Sequence, residues 1–193
     1  MIDGMKVLAI LFGGVLTDNF VFSRFFAERS ALGADKFKAS LRIGAWVALM
    51  IVLVSIVTSA LYFFVLMPLK LGFLTTAMFA LVILAVFSLF NRILKAKNPF
   101  GLGEPTALHA LIALVGAVLG AALFSAQAES FLYGALTGVF GGAGFLLAVV
   151  LLAGVRERLA LSDVPEGLKG LPIALVSAGL IALALLGFSG FGS

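Results

Sequence analysis

The chain contains no cysteine, one histidine and one tryptophan among 193 residues, and only 11% of its side chains are charged. Without cysteine it forms no disulfide, no thiolate metal site and no thiol nucleophile. His109 cannot assemble a metal site alone, because such sites need several ligands, and we interpret it as an interfacial histidine. Hydrophobic residues at 63% leave too little polar surface to cover a water-soluble domain.

Apolar segments of membrane-spanning length recur along the whole chain. A hydrocarbon core about 30 Å thick requires roughly 20 apolar residues per helix. Six segments approach this length: Met5–Ser23, Ile43–Leu66, Gly72–Phe90, Ala107–Phe124, Phe131–Val155 and Leu171–Phe188. We therefore predict an all-α polytopic membrane protein, with residues 1–193 forming a single integral-membrane domain. Val7–Leu16 also fits a signal peptide, but no small-residue cleavage site follows it, so we interpret it as part of the first span.

The basic residues predict the orientation. If all six segments cross, the first, third and fifth connections lie on one side and hold 11 of the 13 basic residues: Arg24, Arg29, Lys36, Lys38, Arg42, Arg92, Lys95, Lys97, Arg156, Arg158 and Lys169. Only Lys6 and Lys70 lie on the other side. The positive-inside rule then makes these connections cytoplasmic and both termini extracytoplasmic. Because the basic residues flank apolar spans and form no patch, we expect no nucleic-acid partner.

The two halves of the chain predict an inverted repeat. Three spans in each half give the halves opposite orientations. The first segment is interrupted by Gly13-Gly14 and by Thr17-Asp18-Asn19, and the fourth is short and contains Gly116 and Gly120. Paired broken segments indicate a central binding site in transporters. We predict six transmembrane helices as a 3+3 inverted repeat, with broken first and fourth helices.

A carboxyl group lies within the first segment. Asp18 comes 12 residues after Lys6, which places it about 18 Å into a core about 30 Å thick. An ionisable residue at that depth is a functional candidate by default. Alternatively, Asp18 or Asn19 hydrogen-bonds the broken backbone of its own helix. Thr17, Asp18 and Asn19 are the candidates for an ion pathway.

Glycines recur at every fourth position of the fifth segment, at Gly134, Gly138 and Gly142. This spacing leaves one helix face without side chains, so that another backbone can approach closely. We predict helix packing at this face. A permeation groove is the alternative.

The segment between Gly154 and Gly190 carries several residue clusters at fixed spacing: Arg156-Glu157-Arg158-Leu159, Asp163-Val164-Pro165, Gly170, Ala178-Gly179-Leu180 and Phe188-Ser189-Gly190. It resembles the corresponding end of the RnfA/NqrE family, the integral-membrane subunits of bacterial ion-pumping electron-transfer complexes. The resemblance implies a non-catalytic subunit of an oxidoreductase complex in the bacterial inner membrane, coupling electron transfer to Na⁺ or H⁺ translocation. It implies an oppositely oriented homologous partner, RnfE/NqrD-like, and further redox subunits.

The charged connection within this segment, Arg156–Lys169, is here called the hinge, and its charged residues also have two interpretations. By the resemblance, Arg156, Glu157, Arg158 and Asp163 dock a cytoplasmic subunit. Alternatively, these charges anchor the helix ends at the membrane interface, as charges near spans often do.

The same resemblance implies that the first and fourth segments are half-helices that meet near the membrane centre. It also implies one cysteine at the tip of each half-helix, with two subunits together holding a 2Fe–2S cluster. The matching positions here are Arg29 and Gly116, and neither residue can ligate iron. We therefore expect no cofactor in this chain. Arg29 lies either in the first cytoplasmic loop or, by the family geometry, near a subunit interface. The alternative functions are a stand-alone transporter or channel for a small ion or solute on the same scaffold, and an assembly scaffold.

Overall fold

A computed structural model describes residues 4–17, 37–97 and 118–188. Regular structure in these ranges is entirely helical, so the all-α prediction is confirmed for the described residues. The α-helices follow in the order α1 Gly4–Phe12, α2 Phe37–Leu61, α3 Thr75–Lys97, α4 over residues 118–126, α5 Phe131–Leu159 and α6 Leu171–Leu186. The π-helical segments Gly13–Thr17 and Tyr62–Leu66 continue α1 and α2, and 3-10 helices at Gly72–Leu74 and Glu166–Leu168 precede α3 and α6.

The helices fit a membrane protein. Three of the described helical segments are long and apolar enough to cross a bilayer, namely Gly44–Leu66, Gly72–Leu89 and Phe131–Leu159. Two shorter ones, Gly4–Leu16 and Leu171–Leu186, are also apolar. The count of six crossings and the 3+3 inverted repeat stay predictions.

Three helices run past the ends that the apolar segments predicted. α2 begins at Phe37, before the predicted Ile43. α3 continues to Lys97, beyond Phe90, and α5 continues to Leu159, beyond Val155. Each extension lies at the end that carries basic residues. The helices extend beyond the predicted apolar segments because hydropathy marks where the hydrocarbon ends, whereas helical hydrogen bonds continue into the interface. The candidate spans Gly44–Leu66 and Gly72–Leu89 themselves agree with the predicted segments to within one residue.

Proline and glycine explain where the later helices start and stop. Pro68 follows the π-helical end of α2, and its missing N–H interrupts the helical hydrogen bonding there. Gly170 has φ +87°, a conformation that an L side chain rarely adopts, and Pro172 lies in the first turn of α6. The chain therefore turns sharply between the charged hinge and α6.

The core is built around α2 and α5, which make the most extensive contact among the described helices. The buried side chains of the core come mostly from these two helices and from α4: Val47, Met50, Ile51, Val54, Val118, Ala121, Ala122, Phe145, Ala148, Val149 and Leu152. α3 contributes Phe79 and Ile83 but exposes Leu81 at 61%, and α6 exposes Leu180 at 63%. Large apolar side chains on the outside are what contact with lipid requires, since lipid tails are as apolar as leucine.

Candidate functional site

The contacts of α5 fix the relative directions of three helices. Lys6 Nζ at the start of α1 lies 2.6 Å from Glu129 Oε2, just before α5 begins. Further along, the space beside Gly14 of the π-helical segment is closed by the backbone of Phe140 and Gly141. α1 and α5 therefore run in the same direction. The pair Lys6–Glu129 is half to three-quarters exposed, so it contributes at most about 1 kcal/mol to stability.

α2 runs in the opposite direction to α5. A Cβ on Gly134 would lie 2.8 Å from Ser59 Oγ, and a Cβ on Gly142 would lie 3.0 Å from Ala48 O. Gly138, between these two, lies directly against Ser55. The three glycines with the predicted spacing therefore lie along α2, with no side chain of their own between the two backbones, which is the geometry of close helix packing.

The π-helical segment Gly13–Thr17 packs against α5 at a second set of glycines. A Cβ on Gly14 would lie 3.3 Å from Gly141 N, and a Cβ on Gly144 would overlap Gly14 O. Gly141 comes ten residues after Phe131, the first residue of α5, which corresponds to about 15 Å along the helix. That is half of a core about 30 Å thick. The segment thus contacts α5 at a level near the middle of the membrane, if α5 crosses it.

The helical hydrogen-bonding pattern changes from α to π at Gly13-Gly14, where the sequence predicted an interruption. Single π-helical turns within α-helices are frequent at functional sites. In the hydrocarbon core they also keep the backbone polar groups paired, which lipid cannot do. Thr17 is the last residue of this segment. Asp18 and Asn19, the other two pathway candidates, lie outside the described residues, as do Arg29, His109 and Gly116.

Two buried hydroxyl groups on α2 escaped the sequence analysis. Ser55 and Ser59 are fully buried, and within the described part of the chain neither Oγ has a hydrogen-bond partner. Other buried hydroxyls behave differently: Thr58 Oγ1 donates to Val54 O at 2.8 Å, and Ser125 Oγ donates to Ala121 O at 2.9 Å. The signal was present in the sequence, because Ser55 and Ser59 are four residues apart and so share one face of an otherwise apolar helix.

The charged hinge forms the opposite end of α5. Arg156 and Arg158 lie in the last turn of α5, where cations interact favourably with the helix dipole. Arg158, Glu157 and Asp163 are exposed. Arg156 is half-buried, and its Nη1 atom is buried without a hydrogen-bond partner among the described residues.

The donor set does not fit an iron–sulfur cluster. Such clusters are held by thiolates, or in part by imidazoles. The chain has no cysteine and a single histidine, and no group of three His, Asp or Glu side chains in the described ranges is placed to hold a metal ion.

Comparison with known proteins gives a match over nearly the whole chain. Residues 7–192 match the sequence model of a family described as "Rnf-Nqr subunit, membrane protein". The chain is 40% identical, over 188 residues, to the A subunit of the Na(+)-translocating ferredoxin:NAD(+) oxidoreductase complex of Acetobacterium woodii, covering 96% of this chain and 98% of the relative.

Two further relatives show similar coverage. The A subunit of the ion-translocating oxidoreductase complex of Syntrophotalea carbinolica is 40% identical over 187 residues, covering 96% of this chain and 97% of the relative. The A subunit of the proton-translocating ferredoxin:NAD(+) oxidoreductase complex of Clostridium ljungdahlii is 36% identical over 185 residues, covering 95% and 96%. The names of these relatives thus differ in the ion that is moved.

Proposed function

Since the chain belongs to the Rnf-Nqr family of membrane-protein subunits, we propose that it is the RnfA-type component of a complex that couples electron transfer to the translocation of Na⁺ or H⁺. The observation that carries this proposal is the similarity over 96% of the chain to a relative of nearly equal length from such a complex. The chain itself is a non-catalytic component and works with the other subunits of its complex. The proposal includes both ions, because relatives of comparable identity are named for Na⁺ and for proton translocation.

The proposed architecture has six crossings arranged as a 3+3 inverted repeat, with the first and fourth helices broken. The parallel course of α1 and α5 and the antiparallel course of α2 support it, because three crossings lie between α1 and α5, whereas two lie between α2 and α5. We place both termini outside the cytoplasm in the bacterial inner membrane, on the basis of the basic connections. A homologous subunit of opposite orientation is the proposed direct partner.

We propose that this subunit lacks the intramembrane cluster of its family, because Arg29 and Gly116 replace the ligands. Electrons then take another route through the complex, or this branch retains the ion-handling scaffold without the redox step. Iron analysis of the purified complex tests this point. Iron bound stoichiometrically by this subunit would refute it.

The function as a whole is tested with the assembled complex in sealed vesicles. Ferredoxin oxidation with NAD⁺ as the acceptor is followed together with uptake of ²²Na⁺ and with acidification of the lumen. We expect electron transfer to drive the uptake of one of these ions. The absence of cysteine favours one alternative, a stand-alone transporter, which predicts ion movement by the isolated protein without any redox substrate and no copurifying subunits.

Asp18 is the proposed membrane-embedded group of the ion pathway. Asp18→Asn keeps the size and a hydrogen-bonding group but removes the charge. We expect ion uptake to fall on the order of tenfold, equivalent to about 1.4 kcal/mol in the barrier, while the complex still assembles. Unchanged ion uptake would contradict a role in the ion pathway and would favour the alternative, in which Asp18 hydrogen-bonds the backbone of its own helix.

The hinge is the proposed docking surface for a cytoplasmic subunit. Reversing two charges, with Arg156→Glu and Arg158→Glu together, introduces repulsion wherever a partner carboxylate faces them. We expect the cytoplasmic subunits to be lost on copurification. Lys70→Glu is the matched control, because Lys70 is an exposed basic residue at the other end of the helices. If the double variant assembles as the control does, the hinge is an interface anchor.

A further inference from the structure

Ser55 and Ser59 form a continuous polar strip with their surroundings, here called the serine seam. It consists of these two hydroxyls on α2, the facing glycines Gly134 and Gly138 on α5, and the backbone carbonyl of Ser125 at the end of α4. Ser125 O and Ser59 Oγ lie 2.6 and 2.8 Å from a single point, the position of a Cβ on Gly134. Oxygens from α2 and α4 thus lie close together beside Gly134, where α5 has no side chain.

The oxygens of the serine seam have unused hydrogen-bonding capacity. Neither serine hydroxyl has a partner among the described residues, although both side chains are 0% exposed. Ser125 O accepts a hydrogen bond from Ala128 N at 3.4 Å, a long one, and a carbonyl oxygen has a second lone pair. Buried polar groups without partners are costly, so the two hydroxyls gain a hydrogen-bond partner from water or a cation whenever the helices separate along the seam.

The seam has a defined position between the outer end of the helices and the π-helical segment. Gly134, Gly138 and Gly141 come three, seven and ten residues after Phe131. At 1.5 Å per residue these levels are about 5, 10 and 15 Å along α5. Ser59 and Ser55 lie at the first two levels, and Gly14 of the π-helical segment lies at the third. The oxygens of Ser59, Ser55 and Gly14 therefore lie at successive levels from the outer end of α5 toward the membrane centre.

We propose that the serine seam is the outer half of the ion route, a hydrated path in which hydroxyl and carbonyl oxygens replace part of the water shell of a small monovalent cation. Neutral oxygen ligands suit such a cation, because they replace part of its water shell and bind it weakly enough for it to move on. In the described packing the two helices are in contact along the seam, so hydration and ion passage both require α2 and α5 to separate slightly there. The assignment of the path to an ion rests on the proposed function, whereas its hydration does not.

Hydration is tested first, with single cysteines. The chain has no cysteine, so Ser55→Cys or Ser59→Cys introduces the one thiol in this subunit. Silver ions are added outside right-side-out vesicles that contain the assembled complex, and the thiol left unreacted is then labelled with a maleimide after denaturation. Thr58→Cys is the control, since Thr58 is equally buried on the same helix but its hydroxyl is bonded within that helix.

We expect both seam cysteines to react with silver ions about tenfold or more faster than the cysteine of the Thr58 variant. The cysteine at position 59 should react faster than the one at position 55. Equal reactivity at all three positions, or none at any, would overturn the proposal. This outcome does not depend on whether the complex moves an ion.

Transport is tested with the double variant Ser55→Ala and Ser59→Ala, which removes both hydroxyls without adding volume. Thr58→Val is its control. We expect the Na⁺ concentration for half-maximal ²²Na⁺ uptake, or the rate of lumen acidification where protons are moved, to change by about tenfold in the double variant only. If the wild-type complex moves neither ion, the proposed function fails. If it moves an ion and the double variant matches Thr58→Val, the seam alone is refuted.

Discussion

Single glycines on α5 determine how closely its neighbours approach. A Cβ added at Gly138 would overlap the Ser55 side chain, whereas one added at Gly154 on the same helix meets nothing within 4 Å. The same substitution therefore has opposite expected effects at two positions of one helix. This difference depends only on what lies across the helix interface, since both glycines are helical.

Gly138→Ala is expected to destabilise the protein by about 1–3 kcal/mol, because overpacking forces α2 away. Gly154→Ala, the control, is expected to stabilise the helix by about 0.5–1 kcal/mol. Thermal unfolding midpoints in the same detergent measure both, at about 2–4 °C per kcal/mol for a chain of this size. Equal midpoints for the two variants would contradict close packing at Gly138.

At the scale of elements, the π-helical segment Gly13–Thr17 depends on α5 for its position. α6 also contacts it. Its contact with Gly144 is between backbones, so no side chain can rotate away to relieve an added methyl group. The segment is therefore more sensitive to a change on α5 than its own sequence suggests.

Gly144→Ala is expected to displace the π-helical segment and to lower ion uptake on the order of tenfold, as an increase of about 1.4 kcal/mol in the barrier would. Gly179→Ala on α6 is the control, because a Cβ there meets nothing within 4 Å. Uptake is measured per electron pair transferred in sealed vesicles. Uptake by the Gly144 variant equal to that of the control would remove this segment from the ion route.

At the scale of the whole molecule, the proposed orientation puts the hinge in the cytoplasm and the start of α3 outside. Two strongly exposed side chains report on these sides: Leu161 at 90% in the hinge and Phe73 at 83% before α3. Three predicted crossings separate them, so they should face opposite sides of the membrane.

Leu161→Cys is expected to react with a membrane-impermeant maleimide in inside-out vesicles and to be protected in right-side-out vesicles. Phe73→Cys is expected to show the reverse pattern. Each variant contains a single thiol in this subunit, since the chain itself has none. Labelling of both from one side would overturn the six-crossing topology, and a complete exchange of the two patterns would invert it.

The sequence predicted the class of fold and the spacing of the α5 glycines, because apolar length and periodicity are local properties of a helix. It missed the serine seam for the same reason. Ser55 and Ser59 look like ordinary small residues of an apolar helix until Gly134 and Gly138 are placed opposite them. The helices also continue beyond the predicted apolar segments at the basic ends, where hydrogen bonding and hydropathy end at different residues.

By itself, then, the sequence determined a helical membrane protein, its family, and the absence of thiolate ligands at Arg29 and Gly116. These follow from residue types and their order along the chain. Only the tertiary structure decided that the π-helical segment meets Gly141 and Gly144, and that two serine hydroxyls are buried without partners among the described residues. Such facts depend on which helix lies opposite and in which register, and helix register is set by packing across the interface.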